Sequence, residues 1–180
     1  DRSDGDLADL IVLDVRPYPY QQTILEELMA ARELHGHHRN LVVMATGTGK
    51  TVVAAMDYRD LRRAGKVKSL LFVAHQERIL KQSQTVFRHV LRDGTFGERL
   101  VGGERPTQWR HVFASIQSLH RMDEIDPAMF DMVVVDEFHH AEAPTYRRLL
   151  DHLRPRELLG LTATPERGDG GDVREFFGGR

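Results

Sequence analysis

The stretch LVVM-ATGTGKT at 41–51 constrains the fold more than any other part of the chain. An apolar run of strand length passes directly into a glycine-bearing loop, and a segment with helical spacing follows over 50–64. Strand, loop and helix in that order are the context a phosphate-binding loop requires. Gly47 and Gly49 let the backbone turn its N–H groups toward phosphate oxygens, and a helix starting near Lys50 adds the positive end of its dipole. Lys50 is then the partner for β- and γ-phosphates, and the Thr51 hydroxyl is a hard oxygen donor suited to Mg²⁺. Thr46, Gly47, Thr48, Gly49, Lys50 and Thr51 form the expected nucleotide-binding set. The general pattern G-x-x-x-x-G-K-[ST] departs here at one position, where Met44 replaces the first glycine. A plain glycine-bearing turn is the alternative to a phosphate loop.

Further short apolar runs recur at 69–74, 111–115, 132–137 and 158–163. Each is too short for an ordinary helix and suits a buried parallel strand. The intervening segments have helical spacing; in 50–64, Arg62 and Arg63 suit the negative helix end and Gly65 the position just beyond it. A helix over roughly 20–35 follows Pro19. The alternation predicts an α/β domain, a mainly parallel sheet with helices on both faces and ligands at the carboxyl ends of its strands. With 180 residues and 41% hydrophobic content the chain suits one compact domain. It contains no cysteine, which excludes disulfides and thiolate metal sites and is compatible with a cytoplasmic location. No apolar stretch approaches the roughly 20 residues that cross a bilayer, so no membrane role is expected. A net charge of -2 gives no general nucleic-acid footprint, and the basic clusters at Arg59 to Lys68 and Arg147 to Arg156 read as solvated helix faces.

The run MVVVDEFHH at 132–140 ends in Asp136 and Glu137, two carboxylates at the rim of the expected sheet. There Asp136 could hold Mg²⁺, and Glu137 could orient and deprotonate a water attacking a γ-phosphate. An acidic pair at the start of a helix is the bland alternative. Asp136-Glu137-Phe138-His139 resembles the DExH box of superfamily 2 helicases, and MATGTGKT resembles their motif I. VAHQERILKQS at 73–83 resembles motif Ia, FASIQSL at 113–119 the next nucleic-acid-contacting motif, and LTATPER at 161–167 motif III. The ordered set covers about 17–167 and resembles the first RecA-like motor domain of these helicases, as in type III restriction enzyme motor subunits and related bacterial DEAD/DEAH-box proteins.

The resemblance implies a P-loop NTPase of RecA-like fold that uses ATP and Mg²⁺. Lys50, Asp136, Glu137 and His139 are then its catalytic residues, with Thr51 and Asp136 toward the metal. His139, Thr162 and Thr164 would couple the nucleotide site to nucleic acid, which His75, Gln76, Gly102, Gly103, Ser115 and Gln117 would contact. PYQQ at 19–22 resembles the segment in which a glutamine reads adenine, and Gln21 is the candidate; the match is partial, because a second Pro-Tyr pair intervenes after Arg16-Pro17-Tyr18. Residues 1–16 then read as a lead-in, 17–167 as the ATP-binding domain and 168–180 as the start of a linker. Implied partners are nucleic acid, DNA more than RNA, a C-terminal RecA-like domain of the same parent chain, and a nuclease domain in some relatives. A P-loop kinase of a small molecule and a non-hydrolysing nucleotide-dependent interaction module are the competing classes. The histidines at 35, 37 and 38 read as solvated loop residues, and Trp109 alone is weak support for a stacking platform.

Overall fold

The computed structural model describes residues 16–45, 47–119, 122–137 and 144–163. Among them the elements run α1 (Pro19–His35), β1 (Arg39–Val43), α2 (Gly47–Arg63), β2 (Leu70–Ala74), α3 (Glu77–Leu91), β3 (Glu98–Leu100), β4 (His111–Ser115), β5 (Met132–Asp136), α4 (Pro144–His152) and β6 (Glu157–Thr162). Two short 3₁₀ turns, Ile116–Leu119 and Met122–Glu124, lie between β4 and β5. The strands form one sheet in the order β1-β6-β5-β2-β4-β3, and every pairing is parallel.

Burial explains why the central strands read as unbroken apolar runs. Every residue of β2, β5 and β6 is buried, because helices cover both sheet faces. One face packs α1, α2 and α3 through Leu25, Leu28, Met56, Tyr58, Leu80 and Phe87 onto Phe72, Met132 and Val134. The other packs α4 and the turn Ile116–Leu119 onto Leu71, Val73, Val133 and Val135. The two edge strands are only partly covered.

Helix ends follow local chemistry. Gly65 takes φ +72, a left-handed conformation that costs glycine little. Its N–H donates to the Arg62 carbonyl at 3.0 Å and Lys66 N–H to that of Leu61 at 2.9 Å, closing α2 as its sequence predicts. The basic cluster there is less free than a solvated face: the Arg62 guanidinium lies 5.5 Å from the Tyr58 ring centre and 5.8 Å from that of Phe96.

A buried ionic cluster ties three elements together at the amino ends of the strands. Arg32 of α1 donates to both Asp57 carboxylate oxygens of α2 at 2.6 and 2.7 Å, and to Glu157 of β6 at 2.9 Å. His38, from the histidine-rich loop, has its Nδ1 2.6 Å from the other Glu157 oxygen.

Candidate nucleotide site at the carboxyl ends of the strands

Sheet order builds the site. β1 and β5 flank β6, and the register pairs Val43 with Thr162 and Asp136 with Leu161, so the three strands end side by side. The glycine loop leaves β1, the acidic pair leaves β5, and Thr162 lies between them. Helix α2 begins at Gly47, three residues before the expected start at Lys50, so the loop glycines form its first turn. Its free N–H groups and dipole end therefore lie at the carboxyl edge of the sheet.

Lys50 crosses to the acidic pair, 87 residues on in the sequence, donating to Glu137 Oε1 at 2.6 Å with Asp136 Oδ1 3.0 Å away. Lys50 is 2% exposed and Asp136 3%, whereas the Glu137 side chain is 37% exposed. Burial opposes the Lys50 charge, but the two carboxylates outweigh it and hold its pKa above the ordinary lysine value. Burial pushes the Asp136 carboxyl up against the pull of Lys50. Asp136 Oδ1 also accepts the Glu137 N–H at 2.9 Å. The strand stops there because Glu137 adopts φ +55, in the left-handed region that disfavours side chains.

Thr51 is 5% exposed and follows Lys50 on α2. Its hydroxyl and the Asp136 carboxylate are hard oxygen donors of the kind that could hold Mg²⁺ together with phosphate oxygens and waters. Gln21 is 3% exposed and its Oε1 accepts the Tyr18 N–H at 2.9 Å, capping α1, while Gln22 is exposed and donates to Glu26. Thr162 is fully buried. Thr46, His139 and Thr164 lie outside the described residues.

The expected nucleic-acid contacts leave the same sheet edge farther along. His75 and Gln76 follow β2, Gly102 and Gly103 follow β3, and Ser115 ends β4. All but Ser115 are exposed, as is Gln117. Gln117 Nε2 and His75 Nδ1 are 3.3 Å apart, joining two of these segments, and Ser115 Oγ meets Ser118 Oγ at 2.7 Å. Gly102 and Gly103 have φ +56 and +89 and form a tight turn closed by the Glu104 N–H on the Val101 carbonyl. Trp109 is held in a loop whose N–H groups at 107, 108 and 109 all donate to the Glu98 carboxylate. Tyr146 carried no sequence signal; it is 2% exposed and belongs to the buried cluster that includes Val133 and Val135 of β5.

Residues 14–167 match the family described as type III restriction enzyme, res subunit. The chain is 29% identical over 172 residues to the EcoAI endonuclease subunit of a type I restriction enzyme from Escherichia coli, covering 90% of this chain and 21% of that protein. It is 28% identical over 163 residues to the DNA 3'-5' translocase XPB2 of Sulfurisphaera tokodaii, covering 88% of this chain and 35% of that one. The helicase domain of Hef from Pyrococcus furiosus has the same fold, with a TM-score of 0.70 at 22% identity over 94% of this chain and 38% of that chain. The fold is the RecA-like domain of P-loop NTPases, mainly a parallel sheet between two helical layers.

Proposed function

From a chain that belongs to the type III restriction enzyme res subunit family, we propose the ATP-binding half of an ATP-dependent nucleic-acid motor, a helicase or translocase acting on DNA. The observation that carries this reading is the buried convergence of Lys50 with Asp136 and Glu137 at the carboxyl ends of β1 and β5. Lys50, released from the carboxylates, would bind β- and γ-phosphates, with the α2 N-terminus and the backbone of 46–49 cradling them. Thr51 and Asp136 would hold Mg²⁺, which supplies charge neutralisation of the phosphates when bound. Glu137, the more exposed carboxylate, would orient the attacking water and accept its proton. Gln21 would read the adenine edge, and giving up its contact with the Tyr18 N–H is the change this role requires.

Coupling to nucleic acid would run through Thr162, with His139 and Thr164, from the phosphate site to the exposed segments at His75, Gln76, Gly102, Gly103, Ser115 and Gln117. Backbone N–H groups and small polar side chains suit a phosphodiester track read without base specificity. The chain spans about a fifth to a third of the length of the curated relatives named above. A second RecA-like domain of the same parent chain would complete the ATP site, supplying arginines worth roughly 10³ or more in rate. Residues 17–167 form the ATP-binding domain in this reading, and 168–180 begin the connection to the second. No helix among the described residues is long and apolar enough to cross a membrane. The proposed site of action on DNA is the cytoplasm.

Binding of a fluorescent ATP analogue with Mg²⁺ tests the site. Lys50→Ala should weaken it by at least about tenfold, since a charge-assisted phosphate contact is lost, whereas Glu137→Gln should leave affinity within about threefold of wild type. Equal affinity for wild type and Lys50→Ala would remove the phosphate-loop reading.

A further inference from the structure

A cavity of about 450 Å³ lies beside β3 and β4, on the sheet face that carries α4. Leu100, Leu119, Ile125 and Met129 give it apolar walls, and Trp109 lines it as well. Its size is that of a small-ligand site, and the proposed ATP site makes no use of it. Met129 is 38% exposed and Arg105 is exposed at the rim, so the cavity opens to solvent. Trp109 itself is half-buried and packs on the apolar cluster beneath. It takes φ +58, a backbone region that bulky side chains avoid. The Glu98 carboxylate sustains that conformation by accepting the N–H groups of 107, 108 and 109. Strain held in place by its surroundings clusters at ligand-binding sites.

Two of the segments proposed to touch nucleic acid run directly into these walls. Arg105 comes two residues after Gly103, and Ser118 follows Gln117. Strand β3 has only three residues, with Glu98 and Leu100 roughly 7 Å apart. A Trp109 anchored at Glu98 therefore stands close to the carboxyl edge where Gly102, Gly103 and Gln117 lie. Charge then decides what fits inside. Arg105 and Glu124 offset one another, which leaves a near-neutral cavity suited to a planar uncharged group and poorly suited to a phosphate. Arg105, exposed at the mouth, can meet the phosphate of a nucleotide whose base has entered.

We propose that this cavity takes one nucleobase of the bound strand, stacked on the Trp109 indole, while the backbone of that strand runs over Gly102, Gly103, Ser115 and Gln117. Stacking accepts any base, because every base has a π-face, so the site holds the strand without selecting sequence. The anchored backbone at Trp109 presents the ring ready-made, which spares the ordering cost of binding. An apolar side chain of a partner protein is the rival occupant; the continuity of both walls with the proposed track favours the base. This inference rests on that track being a nucleic-acid surface.

The test measures equilibrium binding of the full-length protein carrying this chain to two oligonucleotides of equal length, oligothymidine and an abasic phosphodiester, with wild type, Trp109→Ala and Trp109→Phe. On oligothymidine, Trp109→Ala should bind about tenfold more weakly and Trp109→Phe within about threefold of wild type, since Phe keeps a stacking ring. On the abasic strand, wild type and Trp109→Ala should agree within about twofold, because the base that the ring would hold is missing. A loss on the abasic strand as large as on oligothymidine would show that Trp109 acts only through folding and would overturn the proposal. So would equal binding of oligothymidine by wild type and Trp109→Ala, an outcome that leaves the cavity to a protein partner. Should wild type bind neither oligonucleotide, the nucleic-acid track fails and this site with it; the other two failures remove the nucleobase site alone.

Discussion

His111 shows how a single side chain can set a pH limit on this fold. It opens β4, its ring centre lies 4.3 Å from that of Phe96, and its Nε2 is 2.8 Å from the Tyr58 hydroxyl. Burial, reinforced by Arg62 and Arg110, lowers its pKa to about 4 from an ordinary 6.5, and burial raises the Tyr58 phenol to about 12. The folded state therefore prefers neutral His111. A depressed folded pKa contributes stability in full above the unfolded value, and that contribution disappears as pH falls from about 6.5 toward about 4. Wild type should lose stability across that window in urea melts, and His111→Gln should show a shallower decline while being less stable at pH 7. An identical acid decline in the variant would mean that other groups set it. Lys50 sits in a different balance. It is buried between two carboxylates that keep it charged, so the site holds a cation where phosphate would arrive.

Among the elements, α1 is attached to the rest by Leu25 and Leu28 in the core and by a buried ionic cluster. Arg32 reaches Asp57 on α2 and Glu157 on β6, all three side chains being 7% exposed or less. Removing one partner from such a cluster leaves the others charged and dry, which costs about 3–5 kcal/mol. Arg32→Ala should lose that much in urea-induced unfolding; a loss below about 1 kcal/mol would show that water enters and solvates the carboxylates. The partners lie 25 and 125 residues from Arg32 in the chain, so sequence reading offers no way to find them. The central strands were legible because burial on both faces makes them uniformly apolar. Strand β3 was not, being three residues long with Glu98 and Arg99 in it. The expected run to 137 ends one residue earlier, at Asp136, because Glu137 takes a left-handed backbone that the apolar pattern does not encode. The approach of Lys50 to the acidic pair could be anticipated, since both segments follow strands and a parallel sheet gathers the strand ends at one edge. The capping contact of Gln21 and the burial of Tyr146 could not, since each depends on how a helix docks.

At the scale of the whole molecule, the sheet separates two tasks. Its amino edge carries the ionic cluster of Arg32, Asp57, Glu157 and His38. Its carboxyl edge carries the proposed nucleotide site at β1 and β5, and farther along the same edge the exposed segments after β2, β3 and β4. A parallel sheet suits a motor for this reason: one edge can present a phosphate site and a nucleic-acid track as neighbours, joined by short rigid strands. A P-loop kinase would need a small acceptor pocket at that edge, and a binding module would have no use for Glu137. In the proposed motor, ATP hydrolysis at Lys50, Asp136 and Glu137 is coupled to nucleic acid. The most direct measurement is ATP turnover by the full-length protein carrying this chain, with and without single- and double-stranded DNA or RNA, beside Glu137→Gln. DNA should stimulate turnover at least about tenfold, and Glu137→Gln should abolish it; turnover indifferent to every nucleic acid would rule out a coupled motor.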